Sequence, residues 1–478
     1  MAREDAPKDT ARDTTCGDVT RGGMARDLTR REAALLFGSV GTAAALAALS
    51  GCAGGSGSGE GAAPSGGDSP VDEASSASSV ASSSSQSYWL YNPAGVKQGG
   101  TSVDSDLRHT MDSAGLDKPS RAAESSVRSE AYYPESDLYA DVYRLFLERG
   151  WGDGLPMVPP IEQNMIRMAK GTDLPRETLV ATIPPLMGQA TVEKVAANAV
   201  MAGCAPCHLP FVFAAAEAVA DDAYDLVGAS TTTSPNATLT IANGPAALEA
   251  GMNCGSNALG RGCRANAAIG RAVHLVEQNV GGAWPGVSDY STLGNPGEFA
   301  MAFAENEEAN PWGPLHVERG FAAGQNVVTV ASAESFQLVM DIDVDDRGFL
   351  DRVVRTICVK QRLGKDFLLI LTPFTADKLA KAGWDKESIR AYVQANTRVH
   401  ISQLDQQLAD KLEAVGTVEG VGEPDEDGMV LLSVVRSLEI IVAGGVGEKN
   451  EVVPLWSPAV SREVSLPEGW DKLVEDVW

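Results

Sequence analysis

The feature that most constrains this 478-residue chain is a long stretch that cannot build a hydrophobic core. Residues 53–87 are mostly serine, glycine and alanine, with thirteen serines and no large apolar side chain. Such a stretch buries too little apolar surface to offset the conformational entropy that ordering would cost. We therefore expect a flexible tether over residues 52–130 and a folded body over residues 131–478.

An isolated aromatic patch, Tyr88-Trp89-Leu90-Tyr91, interrupts the tether. Two interpretations are equally open. The patch docks on the folded body, or it is a sticky segment of the linker.

The first 51 residues have the pattern of an export signal. Arg30 and Arg31 precede a weakly apolar run, residues 33–49, which is typical of a twin-arginine signal peptide. The run ends in Leu49-Ser50-Gly51-Cys52, which looks like a bacterial lipobox. We predict lipidation at Cys52 and location on the extracytoplasmic face of the bacterial cell membrane. The sequence leaves open whether translation starts at Met1 or at Met24.

Charge narrows the possible partners. The chain has 38 Lys and Arg against 64 Asp and Glu, a net charge of −26. Phosphate backbones would be repelled by this excess, so nucleic acid is excluded as a partner. No run reaches the roughly 18–20 apolar residues of a membrane span. The expected partners are a small-molecule substrate, an electron donor of unknown identity and, through the lipid, the membrane.

The folded body shows apolar strands separated by helices. This alternation predicts an α/β fold with a mixed or parallel sheet covered by helices. If the body divides into two subdomains, the boundary lies near residue 322. The predicted helices are 136–149, 161–170, 191–202, 209–220, 265–280, 375–381 and 386–395, and the predicted strands are 179–183, 239–242, 327–331, 367–371 and 438–443.

A Cys-x-x-Cys-His motif, Cys204 to His208, lies between two predicted helices. It fits three chemistries: c-type haem attachment, a thioredoxin-type dithiol, and a zinc or iron–sulfur site. Haem fits least well, because its attachment needs an unfolded exported chain and the twin-arginine route carries folded proteins. Cys207 is close to a helix start, which would lower its thiol pKa. A pair of buried structural cysteines is the alternative.

A second cysteine segment is rich in glycine and contains Cys254 and Cys263. Its glycine turns favour close approach of backbone N–H groups to an anion. Arg264 is a candidate carboxylate clamp and Asn266 a candidate for orienting the substrate. The metal-ligand candidates are Cys204, Cys207, Cys254, Cys263 and His208.

His316 and Glu318 lie in an acidic, loop-like segment. A histidine with a carboxylate is the usual pairing for general acid–base work or metal ligation. A solvated acidic loop is the alternative. His274, inside a predicted helix, is interpreted as structural.

An ordered set of motifs over roughly residues 135–460 resembles the UGSC-like proteins, some of which are selenoproteins. The resemblance implies thiol or selenol redox chemistry, such as reductive cleavage, with Cys204 matching a cysteine that members commonly keep. Cys254-Gly255-Ser256-Asn257 lacks the last cysteine of the motif that names the family. The matching segments are 151–156, 198–204, Asn243-Gly244-Pro245, 264–271, 303–308, 316–320, 382–386 and 442–445.

These observations predict a membrane-anchored, thiol-dependent oxidoreductase that removes a leaving group from a small organic substrate. Cys204 and Cys207 would form the redox dithiol, and Cys254 and Cys263 would be a second redox pair or co-ligands of a metal centre. His316 and Glu318 would move protons. Arg264, Asn266 and Asn243 would bind the substrate. The cofactor is unknown, and iron–sulfur or zinc fits better than c-type haem.

Two other functions remain open. One is a metal-dependent hydrolase or lyase with cysteine and histidine ligands. The other is a non-catalytic solute-binding lipoprotein.

Overall fold

The computed structural model describes residues 88–95, 129–132, 138–359, 365–403, 406, 410, 425–431 and 435–475. The predicted signal peptide, with Arg30 and Arg31, and the lipidation site Cys52 lie outside the described residues. Within the described ranges, no helix has the length and apolar character needed to cross a membrane.

Helices and strands alternate along the body. The strands are β1 (Tyr88–Tyr91), β2 (Ser129–Tyr132), β3 (Leu179–Ile183), β4 (Gly188–Thr191), β5 (Ala237–Asn243), β6 (Ala302–Ala304), β7 (Val327–Ala333), β8 (Gln337–Met340), β9 (Lys365–Leu371), β10 (Arg398–His400), β11 (Met429–Leu431), β12 (Val435–Val442), β13 (Lys449–Leu455) and β14 (Val460–Glu463). The helices are α1 (Leu138–Glu148), α2 (Glu162–Met168), α3 (Val192–Ala202), α4 (Leu209–Val219), α5 (Leu226–Thr231), α6 (Pro245–Glu249), α7 (Arg264–Asn279), α8 (Leu315–Glu318), α9 (Asp346–Val359), α10 (Pro373–Lys381), α11 (Lys386–Asn396) and α12 (Trp470–Glu475).

The central sheet is mixed, in the order β12-β9-β13-β7-β5-β6, with β14 on β7 and β8 on β13. Strand β12 runs parallel to β9, and β5 runs parallel to β6. Between these pairs, β13 and β7 run antiparallel to their neighbours. A mixed sheet with helices confirms the predicted α/β class.

Side chains that alternate along the strands pack in different clusters, as the period of two requires. In β5, Ala242 packs with α3, α4 and α7. In β9, Leu369 packs with α9, α10 and α11. Leu239 of β5 and Leu368 of β9 join a third cluster that spans both halves of the sheet. The sheet therefore supports one continuous layer across the predicted boundary near residue 322.

Local chemistry sets the element ends that the sequence predicts. Thr191 caps α3, its side chain accepting from the Lys194 N–H, and Gly203 ends the helix at φ 86°. Strand β3 has the predicted bounds, and the other predicted elements agree to within three residues. The sequence does not predict β6, β13 or α9.

The aromatic patch contacts the folded body, the first of the two interpretations considered above. Strand β1 pairs antiparallel with β2, Leu90 is 2 % exposed, and the Asn198 side chain donates to the Pro93 carbonyl at 3.0 Å. Buried apolar surface at Leu90 and Ala94 holds this segment in place. The remaining predicted tether, 52–87 and 96–128, lies outside the described residues.

Candidate functional site

The parallel strands β5 and β6 end at the same edge of the sheet, where open α/β folds bind ligands. Asn243 is the last residue of β5, and Glu305 follows β6 directly. The Asn243 amide donates to Glu305 Oε2 at 2.7 Å and to Glu307 Oε1 at 2.9 Å. Asn243 thus ties together two carboxylates at this edge.

Glu305 organises the edge. It is 3 % exposed and accepts from Asn243, from the Asn310 amide at 2.8 Å and from the Leu315 backbone N–H at 2.8 Å. Burial raises its pKa, although the Lys386 charge and these hydrogen bonds act in the opposite direction. By holding the first N–H of α8, Glu305 positions the helix that carries His316.

His316 is the most unusual residue of this edge. It is fully buried, and neither ring nitrogen makes a hydrogen bond of standard geometry. Its Nδ1 lies 3.7 Å from Glu307 Oε1. Burial lowers the pKa of His316, while Glu307 and the Ala322 carbonyl act to raise it. The lowered pKa favours the neutral imidazole, in which one ring nitrogen carries a lone pair, beside the Glu307 carboxylate.

The Cys254 segment lies against the same edge. The Ala304 N–H donates to the Asn253 carbonyl at 3.2 Å, and the Gly444 N–H donates to the Cys254 carbonyl at 2.9 Å. Cys254 is a free thiol of intermediate exposure. Its pKa is raised by burial and, further, by the charges of Glu308 and Glu307. The thiol therefore shares the electrostatic environment of the carboxylate that faces His316.

Glycine permits the close approach of the β12 loop to this segment. A Cβ on Gly445 would lie 2.9 Å from the Ser256 Cβ and 3.0 Å from its Cα. Any larger residue at 445 would push the two loops apart.

Two cavities meet at Ser256. The first, of about 400 Å³, follows β9 and β12 and is lined by Ser256, Thr372 and residues 443–449. The second, of about 710 Å³, is lined by Ser256, His208, Cys263 and Arg264. Volumes of this size suit a small organic molecule.

The Cys204-to-His208 segment is a core element in this structure. Cys204 is 7 % exposed, Cys207 is fully buried, and both thiols are free. Burial raises the pKa of both, that of Cys207 to about 11, despite the charge of Arg264. The expectation that a helix start lowers the pKa of Cys207 is wrong here, because desolvation outweighs the helix terminus.

His208 already has two hydrogen-bond partners. Its Nδ1 accepts from the Ala205 N–H at 3.1 Å, and its Nε2 lies 3.2 Å from the Ala250 carbonyl, to which it donates in that tautomer. Burial lowers its pKa to about 4. With both thiols in the core and the imidazole engaged, these residues do not fit a c-type haem.

The cysteines do not fit a metal centre in this conformation either. In the described part of the chain, no three His, Cys, Asp or Glu side chains are placed to hold one metal ion. Cys263 instead caps α7: its sulfur accepts from the Asn266 backbone N–H at 3.5 Å and lies 3.2 Å from both the Asn266 Oδ1 and the Gly251 carbonyl.

The predicted substrate-binding residues take different places. Asn266 is buried and bonds to Asn253 and Ala258, so it holds the Cys254 loop in shape. Arg264 is exposed, lines the larger cavity and donates to the Gly203 carbonyl at 3.1 Å.

Glu318 does not face His316 as a proton-transfer partner. It accepts from Lys386 Nζ at 2.7 Å and from Arg390 at 3.1 Å. Glu307 takes the place beside His316 that the sequence assigned to Glu318. Glu305 and Glu307 belong to the same acidic stretch of sequence as His316 and Glu318. The sequence gives no sign of their role, because it does not predict strand β6, which ends directly before Glu305.

No family model, curated protein or solved structure matches this chain.

Proposed function

We propose that this chain is an exported, lipid-anchored, thiol-dependent oxidoreductase that cleaves a leaving group from a small organic substrate. The observation that carries the proposal is the placement of Cys254. A free, partly exposed thiol lies in the electrostatic field of Glu308 and Glu307, and Glu307 Oε1 lies 3.7 Å from His316 Nδ1. The resemblance to UGSC-like proteins supports the same chemistry.

The reaction that fits these groups starts from a substrate with a leaving group α to a carbonyl. The Cys254 thiol must lose its proton to react, and the neutral imidazole of His316, beside Glu307, is the base that we assign to this step. The sulfur attacks the carbon, the carbon–leaving-group bond breaks, and a thioether forms. A second thiol attacks that sulfur, and the carbon leaves as an enolate that takes up a proton.

Atoms and electrons balance in this reaction. R–C(O)–CH₂–X and two thiols give R–C(O)–CH₃, HX and one disulfide, so two electrons pass from the thiols to the substrate carbon. A dithiol reductant from outside the chain restores the thiols. Cys263, at the other end of the Cys254 loop, is the second thiol in this proposal, because Cys204 and Cys207 are in the core.

Turnover tests the proposal. The purified chain is incubated with α-halo and α-amino carbonyl compounds and dithiothreitol, and the reduced product is followed by NMR. We expect turnover that Cys254→Ser abolishes. Cys358→Ser is the matched control, because Cys358 is a buried thiol of helix α9, which packs on the other half of the sheet. Full turnover by the Cys254→Ser variant would contradict the proposal. Ligand-induced stabilisation without turnover would favour the solute-binding alternative.

The membrane anchor has a separate test. In bacteria that make the full chain, we expect it in the detergent phase of a temperature-induced phase separation. Cys52→Ser should move it to the aqueous phase, and Arg30→Lys with Arg31→Lys should stop export. Unchanged partition of Cys52→Ser would contradict the anchor.

A further inference from the structure

The amino-terminal end of β5 borders a small polar cavity, away from the candidate site at the carboxyl end of the strand. Its volume is about 80 Å³, and its wall includes Thr238, His274, Glu277, Asp289 and Glu298. That is room for a few water-sized molecules. The cavity fits a ligand no larger than an ammonium ion or a very small amine.

A chain of hydrogen bonds fixes one wall. Thr238 donates to Glu277 Oε1 at 2.5 Å, so Tyr224 is the donor in its own 2.5 Å bond with Thr238. The other oxygen of Glu277 lies 3.2 Å from His274 Nδ1. Both oxygens of Glu277 are thus partnered, and the imidazole is held in one orientation.

Two acceptors remain without partners. The His274 side chain is 10 % exposed, and its Nε2 has no hydrogen bond. With Nδ1–H donating to Glu277, Nε2 carries a lone pair. Asn236, whose amide nitrogen donates to Ala229, leaves its buried Oδ1 unpartnered as well. Buried acceptors of this kind require a donor, and both residues line the cavity.

The wall is also strongly acidic. Asp289 and Glu298 each accept one backbone N–H, from Ser291 at 3.0 Å and Asn295 at 2.8 Å. Burial raises the pKa of both carboxyls, and the charge of Glu277 raises both further. The charge of Asp289 also raises the pKa of Glu298, whereas His274 acts to lower it. Of the described residues that line the cavity, none is lysine or arginine. A cation would relieve this repulsion.

We propose that this cavity binds a small ammonium-type cation, either the ammonium ion or the primary ammonium group of a small amine. Its N–H groups would donate to His274 Nε2 and Asn236 Oδ1, the two acceptors without partners, and the carboxylates of Asp289 and Glu298 would supply the balancing negative charge. An ammonium group fits better than a directly coordinated metal, because no three of the described ligand-type side chains converge on one point. The inference stands independently of the oxidoreductase proposal.

Thermal unfolding in matched salts tests the site. The chain is compared in ammonium, methylammonium, tetramethylammonium and sodium chloride at one ionic strength. Ammonium and methylammonium should raise Tm saturably, by about 2 °C at ten times Kd. Tetramethylammonium, which lacks N–H groups, should give no rise over sodium. Equal Tm values in all four salts would overturn the proposal. So would a saturable rise in magnesium chloride, measured as a fifth salt at the same ionic strength, without a rise in ammonium chloride.

Variants locate the effect. Glu298→Gln and Asp289→Asn should lose the ammonium-dependent rise. Glu217→Gln should keep it, because Glu217 is a carboxyl whose pKa burial also raises but which does not line the cavity. A full rise in Glu298→Gln would place the cation elsewhere. If the variants unfold, ¹⁵N-ammonium NMR on the unaltered chain decides: line broadening reversed by methylammonium is expected, and its absence overturns the proposal.

Discussion

Two fully buried histidines show how differently this molecule uses the same side chain. His208, in the cysteine turn at residues 204–208, has both ring nitrogens bonded to backbone. His316, in the carboxylate cluster formed by Asn243, Glu305, Glu307 and His316, has no hydrogen bond of standard geometry at either ring nitrogen. A satisfied histidine stabilises the fold, whereas an unsatisfied one is held ready for a partner that the protein does not supply. The comparison separates the structural cysteines beside His208 from the reactive position we assign to Cys254.

The largest expected effect is on stability. His208→Ala leaves the Ala205 N–H and the Ala250 carbonyl buried without partners, so the free energy of unfolding should fall by about 4 kcal/mol. His316→Ala loses no hydrogen bond of standard geometry and should lower the free energy of unfolding by about 2 kcal/mol, chiefly through the cavity that it leaves. Urea denaturation of both variants measures the difference. Equal losses would remove the distinction between the two regions.

The second largest effect is the pH dependence of the free energy of unfolding that His208 causes. Its folded pKa of about 4 lies below the unfolded value of 6.5, so the folded state resists protonation. The neutral His208 therefore contributes to the free energy of unfolding fully above pH 6.5. This contribution, about 3 kcal/mol in all, is lost as the pH falls toward 4. The lowered pKa of His316 acts with the same sign. His208→Gln should flatten the dependence, as followed by urea midpoints between pH 4 and 7. An unchanged slope would contradict the assignment.

The third prediction compares the alkylation rates of Cys254 and of the buried cysteines beside His208. In the folded protein, iodoacetamide should modify Cys254 about 100-fold faster than Cys207, whose pKa is raised to about 11 in the core. Mass spectrometry of peptides after timed labelling gives both rates, and labelling in urea is the control in which they should converge. Faster labelling of Cys204 or Cys207 would restore them as the redox pair.

The smallest effect concerns the carboxylates near Cys254. Their charges raise its pKa, so Glu307→Gln and Glu308→Gln should each lower it and speed labelling at pH 7 about two- to threefold. Glu318→Gln is the matched control, since Glu318 is paired with Lys386 and Arg390. A rate change in the control equal to that in Glu307→Gln would indicate a general charge effect.

The sequence predicts much of the body because its signals are local. Apolar periodicity and caps such as Thr191 and Asp385 fix the helices to within a few residues. Strand β6 escapes prediction because Ala302-Phe303-Ala304 is too short to show alternation. That omission also hides the roles of Glu305 and Glu307, since their importance comes from following a strand that runs parallel to β5.

Residue types and their order along the chain determined the α/β class, the five cysteines of the body and the acidic segment around His316. Only the tertiary structure decided which of these groups are available. It put Cys204 and Cys207 in the core, where desolvation raises their pKa, and held Cys254 at the carboxyl edge of the sheet. It gave His274, interpreted from the sequence as structural, a free nitrogen on a polar cavity. Burial and hydrogen bonding depend on contacts between segments far apart in the chain, so no local pattern encodes them.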